Sequence, residues 1–321
     1  MDPAPFIRGA AFPAAGHVAY PRAKPDDRLP RDTWNMASVP AGVRLDIAGV
    51  ADAVVEITYR TAEDNAGYRP ERGKRFETWV ENALVDSAEA VHDTDEASVR
   101  LRPGVIYFPE WMKPTILGIE PIDCEVSPAP RGPKWIAYGD SVLEGWVATS
   151  PALAWPMVAA RDHGLDVVNM GYAGSARGEI VSAEHISELE ADVISITHGT
   201  NCWTRTPHSV EQMAVNTRAF LDVVRLGHPE TPIVVASPIV RPDAEDTPNV
   251  LGATLADLRG AMESVVEERI AGGDEHLELI LGLPIVPVDQ LADGIHPDDA
   301  GHQALADAVG PAAAAAAARK G

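Results

Sequence analysis

Cysteine is nearly absent: the 321-residue chain has two, Cys124 and Cys202. Two cysteines give no disulfide framework and no metal-type cysteine spacing. Cations are also scarce, 26 Lys and Arg against 48 Asp and Glu, for a formal net charge of -22. Nucleic acid and anionic membrane need clustered positive charge, so neither is an expected partner. The acidity itself reads as a solubility feature. No run of 18 or more apolar residues occurs, so no membrane span is expected. The start, Met1-Asp2-Pro3-Ala4-Pro5-Phe6, lacks the basic segment and apolar stretch of a secretory leader. A cytoplasmic location is therefore the default expectation, unless a leader has been removed. No Gly-rich phosphate loop is present: Gly171 to Gly178 is glycine-spaced but lacks a Walker lysine.

What is present is an ordinary globular composition, 45% hydrophobic and 23% charged. The length suits one large or two moderate domains. Residues up to about 125 read as strands and turns. Val43 to Ala48 and Ala53 to Arg60 alternate apolar and polar residues, as half-buried strands do. Phe76 to Val80, Ala97 to Leu101 and Val105 to Phe108 are further strand candidates. Turn clusters lie between them, such as Glu63-Asp64-Asn65-Ala66-Gly67 and Arg102-Pro103-Gly104. No long stretch carries a helical period, so an all-β sandwich is expected over 1–126. Residues 127–133, with three prolines and a glycine, read as a stiff linker. Over 134–321 the pattern changes. Trp135 to Tyr138, Val167 to Met170, Val193 to Thr197, Ile233 to Ala236 and Leu277 to Leu281 read as strands. Ala152 to Arg161, Ile180 to Leu189, Ser209 to Leu226 and Leu251 to Ile270 read as helices between them. This alternation implies a parallel sheet with helices on both faces. Ligands in such folds bind beyond the carboxyl ends of the strands.

Four short blocks fall at those ends. Gly139-Asp140-Ser141 follows the first strand. A serine at a strand-to-helix turn has a backbone N–H facing any developing negative charge, although an N-cap serine looks the same. The surrounding residues are not the Gly-x-Ser-x-Gly elbow. Asp293-Gly294-Ile295-His296 lies on a loop, where the carboxylate can turn back onto the imidazole and fix its tautomer. A polar loop preceding a helix reads alike. Asp298 or Asp299 then caps a last helix toward Ala308, and Ala312 to Ala318 reads as a helix end or frayed terminus. His302 competes as the base, but its place inside that helix favours packing or capping. Oxyanion donors are expected from the Ser141 N–H, from Gly174 in Asn169-Met170-Gly171-Tyr172-Ala173-Gly174, and from Asn201 in Gly199-Thr200-Asn201. Gly171 competes with Gly174 but lies nearer the strand end. Asn201 could equally bond its own backbone in a turn. Asp140, Trp146, His198, Cys202 and Trp203 are the candidates for a substrate pocket. Each has a packing alternative, a buried small residue for Cys202 and core or rim packing for the two tryptophans.

These ordered blocks resemble the SGNH hydrolases, also called GDSL-type esterases and lipases. The resemblance covers roughly Lys134 to Val309. It implies an α/β, flavodoxin-like three-layer sandwich with five parallel strands and no metal or organic cofactor. By position it makes Ser141 the nucleophile and first oxyanion donor, Gly174 the second donor and Asn201 the third. His296 is then the base and Asp293 its partner. The whole layout resembles the subgroup with an N-terminal, jelly-roll-like β-sandwich, which includes some carbohydrate esterases. Two residues depart from the family pattern. Cys202 stands where the wider family often has Asp, and His198 precedes Gly199. Both bear on the acyl pocket, and His198 is a second titrating group there. The implied function is a serine esterase acting on a small-acyl, acetyl-like ester of a carbohydrate or glycosylated compound. Acyl transfer from the same acyl-enzyme, or binding on an inactive scaffold, are the alternatives.

Overall fold

Alternation of apolar and polar residues sends one face of each N-terminal strand inward. The computed structural model describes residues 1–50, 52–62 and 73–320; the Glu63 to Gly67 turn cluster lies outside them. The strands are β1 (Ile7–Arg8), β2 (Arg44–Ala48), β3 (Val54–Arg60), β4 (Arg75–Val80), β5 (Ala83–Glu89), β6 (Ala97–Leu101), β7 (Val105–Tyr107), β8 (Thr115–Ile122) and β9 (Ser127–Pro128). One sheet runs β1-β2-β7-β4-β5, with β9 also on β2, and the other runs β6-β3-β8. Leu45, Phe76 and Ile106 of the first sheet and Val55, Ile57, Leu101 and Ile119 of the second share one core. The result is a sandwich of two antiparallel sheets.

Three features depart from the expected strands and turns. β5 and β8 are additional strands; β5 is largely exposed and β8 contains Gly118 and Pro121, so neither shows clean alternation. Between β1 and β2 the chain makes an excursion that includes helix α1 (Arg31–Ala37). Phe12, Ala23, Leu29 and Ala37 of this excursion join Tyr138, Met170 and Phe220 in one hydrophobic cluster. Residues 127–133 begin as β9, where Ser127 and Pro128 pair with Ala48 and Ile47. Arg8 reinforces this join by donating to the Ala129 carbonyl at 2.9 Å.

The second half is a parallel sheet in the order β11-β10-β12-β13-β14. Its strands are β10 (Lys134–Gly139), β11 (Asp166–Gly171), β12 (Val193–Thr197), β13 (Ile233–Ala236) and β14 (Leu277–Ile280). Its helices are α2 (Ser141–Glu144), α3 (Trp155–His163), α4 (Ile180–Ser187), α5 (Asn201–Thr204), α6 (Val210–Gly227), α7 (Leu255–Ala271) and α8 (Asp299–Lys320). This is the flavodoxin-like strand order. Both faces are covered, which is why the strands read as continuous apolar runs. Ile136 and Tyr138 face one cluster with Ile186, Phe220 and Met262. Trp135 and Ala137 face the other with Met157, Val158 and Val309. Ser209 and Thr254 start α6 and α7 with capping boxes, worth about 1 kcal/mol each. Gly139 lies level with Gly171 on one side and Thr197 on the other. Three of the four blocks therefore leave the sheet at one height.

The C-terminal alanines are not frayed. α8 continues to Lys320, and Ala313, Ala316 and Ala317 are buried against the cluster of α3. Small side chains permit this close approach. Ala316→Leu is expected to cost about 1–3 kcal/mol by overpacking, whereas exposed Ala315→Leu is near neutral. Equal denaturation midpoints for the two variants would contradict the docked helix.

Candidate active site

Ser141 is the first residue of α2. The turn is held by Asp140, whose carboxylate accepts the Val142 N–H at 3.0 Å. The Ser141 hydroxyl lies 2.9 Å from His296 Nε2. On the far side of the ring, His296 Nδ1 lies 2.7 Å from Asp293 Oδ2. The tautomer that satisfies both contacts has Nδ1–H donating to Asp293 and Nε2 accepting from Ser141. Asp293 Oδ1 also accepts the backbone N–H groups of His296 at 2.8 Å and Ile295 at 3.0 Å. Partial burial alone would raise the Asp293 carboxyl. The hydrogen bonds from the His296 ring and from the two amides outweigh it and hold the group below its ordinary value. Asp293 is thus a carboxylate at neutral pH, and it holds the imidazole with Nε2 toward the Ser141 hydroxyl.

Gly174 and Asn201, expected as donors, line the same cleft as this hydroxyl. Gly174 has φ +69°, a left-handed turn that suits glycine. Among the described residues, neither the Gly174 N–H nor the Ser141 N–H has a protein acceptor. Asn201 donates one side-chain N–H to the Ala176 carbonyl at 3.0 Å, which orients the amide and leaves its second N–H. Gly171 has a different task. A Cβ there would stand 2.4 Å from the Glu144 nitrogen, so glycine lets α2 sit directly on β11. Glu144 in turn accepts the Ala173 N–H at 2.9 Å, next to Gly174.

Sequence reasoning missed the group beneath this loop. Arg22, in the excursion between β1 and β2, is fully buried. Its guanidinium donates to the carbonyls of Asn169 (3.0 Å) and Gly171, and to those of Val39 (2.7 Å) and Met36 (2.6 Å). Glu144 lies 3.6 Å away. The Tyr172 hydroxyl donates back to the Arg22 carbonyl at 2.7 Å. No local motif marks such a residue, because its partners are backbone carbonyls far away in sequence.

Ser141, Gly174, Asn201, Asp293 and His296 line one cleft of about 720 Å³. Trp146 lines it too, its ring 6.1 Å from the His296 imidazole. Met36, Thr204, Arg205, Arg241 and Ile295 complete much of the wall and were not anticipated. The other pocket candidates lie elsewhere. Asp140 sits below the serine turn; burial pushes its carboxyl up to about 6, against the backbone hydrogen bonds from Val142, Thr200 and Gly199. His198 is buried between Tyr138 and Phe220, with ring centroids 5.5 and 5.7 Å away. Burial pushes it down to about 4, so it is neutral at neutral pH and faces the core. Cys202 is a free thiol in the same core, its Sγ 3.7 Å from the Arg177 carbonyl. Trp203 donates to the Thr247 carbonyl at 2.8 Å and carries the Arg241 guanidinium over its ring at 4.9 Å. It supports the cleft wall rather than lining it. His302 is buried, with Nδ1 3.4 Å from the Trp155 N–H, a packing position. Among the described residues no cluster of His, Cys, Asp and Glu could hold a metal ion, and no helix is long and apolar enough to cross a membrane.

Residues 134–313, more than half of the chain, match the GDSL-like lipase/acylhydrolase family. The chain belongs to that family. No curated protein sequence matches it. Among solved structures, salicylyl-acyltransferase SsfX3 from a tetracycline biosynthetic pathway is similar, with TM-score 0.80 and 23% identity over 94% of this chain and 92% of that one. A family two carbohydrate esterase from Clostridium thermocellum has TM-score 0.62 and 16% identity over 84% of this chain and 90% of that one. An acetyl xylan esterase from the rumen bacterium Butyrivibrio proteoclasticus has TM-score 0.56 and 14% identity over 84% and 88%. At these identities the likeness is one of fold. With the first of these structures it spans 94% of this chain, the N-terminal half included.

Two outcomes follow from the buried groups around the cleft of this GDSL-like protein. Arg22→Met strands several carbonyls and Glu144, and is expected to lower unfolding free energy by about 3 kcal/mol or more. A denaturation midpoint close to that of the unaltered protein would show that Arg22 does not tie the glycine loop. His198 is about 4 in the folded chain against 6.5 ordinarily. Its neutral form favours folding, so stability is full above about 6.5 and is lost as pH falls toward 4, by about 3 kcal/mol. His198→Leu should flatten that part of the stability–pH curve, read by thermal melts; an unchanged slope would contradict the assignment.

Proposed function

We propose that the protein is a serine esterase that removes a small, acetyl-like acyl group through an acyl-enzyme on Ser141. The observation that carries this reading is the Asp293–His296–Ser141 hydrogen-bond chain, with contacts of 2.7 and 2.9 Å. His296 Nε2 takes the Ser141 proton as Oγ attacks the ester carbonyl. The tetrahedral oxyanion is received by the Ser141 N–H, the Gly174 N–H and the free N–H of Asn201. The alkoxide leaves with the proton from His296. Water then gives a proton to His296 as it attacks the acyl-enzyme, and His296 returns that proton to Ser141 Oγ as the free acid leaves. Asp293 stays ionised throughout and supports the imidazolium. The substrate we favour is an ester of a carbohydrate or glycosylated compound. The fold shared with a carbohydrate esterase and an acetyl xylan esterase supports it. So does the cleft of about 720 Å³ beside Trp146, which is larger than an acetyl group needs.

A second reading is acyl transfer, in which an acceptor alcohol replaces water. Its support is the whole-chain fold likeness to a salicylyl-acyltransferase. With p-nitrophenyl acetate, Ser141→Ala is expected to lose about a thousandfold or more in kcat, and Asp293→Asn about as much. Full activity in Ser141→Ala would sink the acyl-enzyme. Product analysis with added sugar alcohols separates the readings, since only water as acceptor yields free acid. An unreactive Ser141 toward a fluorophosphonate probe would instead support a binding role.

A further inference from the structure

The cleft holds a cation without a partner in a chain of net charge -22. Its wall includes the guanidinium groups of Arg205 and Arg241 and one carboxylate, Asp293. Asp293 is bound to His296 at 2.7 Å. Arg241 is paired with Asp243 at 2.9 Å and rests on Trp203. At the edge of the cleft, Asp32 is bound on both oxygens by Arg177 at 2.7 Å, and Glu179 lies 3.1 Å from the same guanidinium. Every neighbouring carboxylate is therefore engaged. Among the described residues, the Arg205 side chain makes no hydrogen bond and no ion pair. It follows α5, which carries Asn201, and it lies along the Gly174 loop. A Cβ on Gly174 would stand 3.8 Å from Arg205 Nε and 3.9 Å from Nη2. This unpaired guanidinium of the cleft wall thus lies beside two of the three proposed oxyanion donors.

A guanidinium offers a planar fork of N–H donors that matches a carboxylate on both oxygens. We propose that Arg205 is a specificity-determining residue that binds a carboxylate on the substrate, so that the preferred ester is anionic. The proposal rests on the acyl-enzyme reading above. The carboxylate can belong to the acyl group or to the alcohol, and the chemistry at Arg205 is the same for both.

The test compares kcat/KM within two pairs of esters. p-Nitrophenyl hemisuccinate against its neutral methyl ester places the charge on the acyl side. meta-Acetoxybenzoate against meta-acetoxybenzamide places it on the alcohol side. In at least one pair the anionic ester is expected to be preferred about tenfold, less so at high salt. Arg205→Gln should collapse that ratio by about tenfold, and Arg205→Lys should restore part of it. Arg205 is exposed, and the variants should melt like the wild type. No anionic preference in either pair, or a preference that survives in Arg205→Gln, would overturn the proposal. Failure of the underlying reading looks different, because Ser141→Ala would then hydrolyse the neutral esters as fast as the wild type.

Discussion

The buried guanidinium of Arg22 is the constraint on which the geometry of the cleft depends. It is drawn from the N-terminal half, yet its hydrogen bonds end on Asn169 and Gly171, the last residues of β11. A buried arginine is tolerated only when its donors are satisfied, and here backbone carbonyls and Glu144 do so. The same Glu144 holds the Ala173 amide and sits on α2, three residues after Ser141. One cation therefore fixes the helix that starts at Ser141 and the loop that bears Gly174. The N-terminal half is thus structurally part of the site, and Met36 of α1 reaches the cleft wall.

Around that fixed floor, the groups that carry charge are sorted by burial. Asp293 and His296 lie on a partly exposed loop closed by the Leu291–Pro297 bridge, where hydrogen bonds keep Asp293 ionised. Asp140, His198 and Cys202 lie under the strand ends, where desolvation decides it and favours their neutral forms. His198 and Cys202 are thereby held neutral at neutral pH, and neither competes with His296.

The catalytic half was largely legible in the sequence because its signals are local. Apolar runs buried on both faces mark the five strands, and capping residues such as Ser209 mark helix starts. Three of the four blocks sit at strand ends, and the fourth lies on the loop that enters α8, so order along the chain translates into proximity in space. What sequence could not reveal depends on contacts between distant segments. Helix α1 and Arg22 look like loop residues until β11 supplies their partners. Ala312 to Ala318 read as a helix end or a frayed terminus, because alanine carries little apolar surface per residue; close approach to α3 buries Ala313, Ala316 and Ala317 within α8. His198 and Cys202 adjoin Asn201 in sequence, yet the turn into α5 sends them to the core. Arg205 lies three residues beyond Cys202 and reaches the cleft.

The claim at the centre of this picture is covalent, an acyl group carried on Ser141 oxygen. Acid quenching during turnover of p-nitrophenyl acetate, followed by peptide mass spectrometry, observes it directly. An acetyl adduct on the peptide containing Ser141, present in the wild type and missing from Ser141→Ala, is the predicted result. Turnover with the Ser141 peptide unmodified and the adduct on another residue would contradict it.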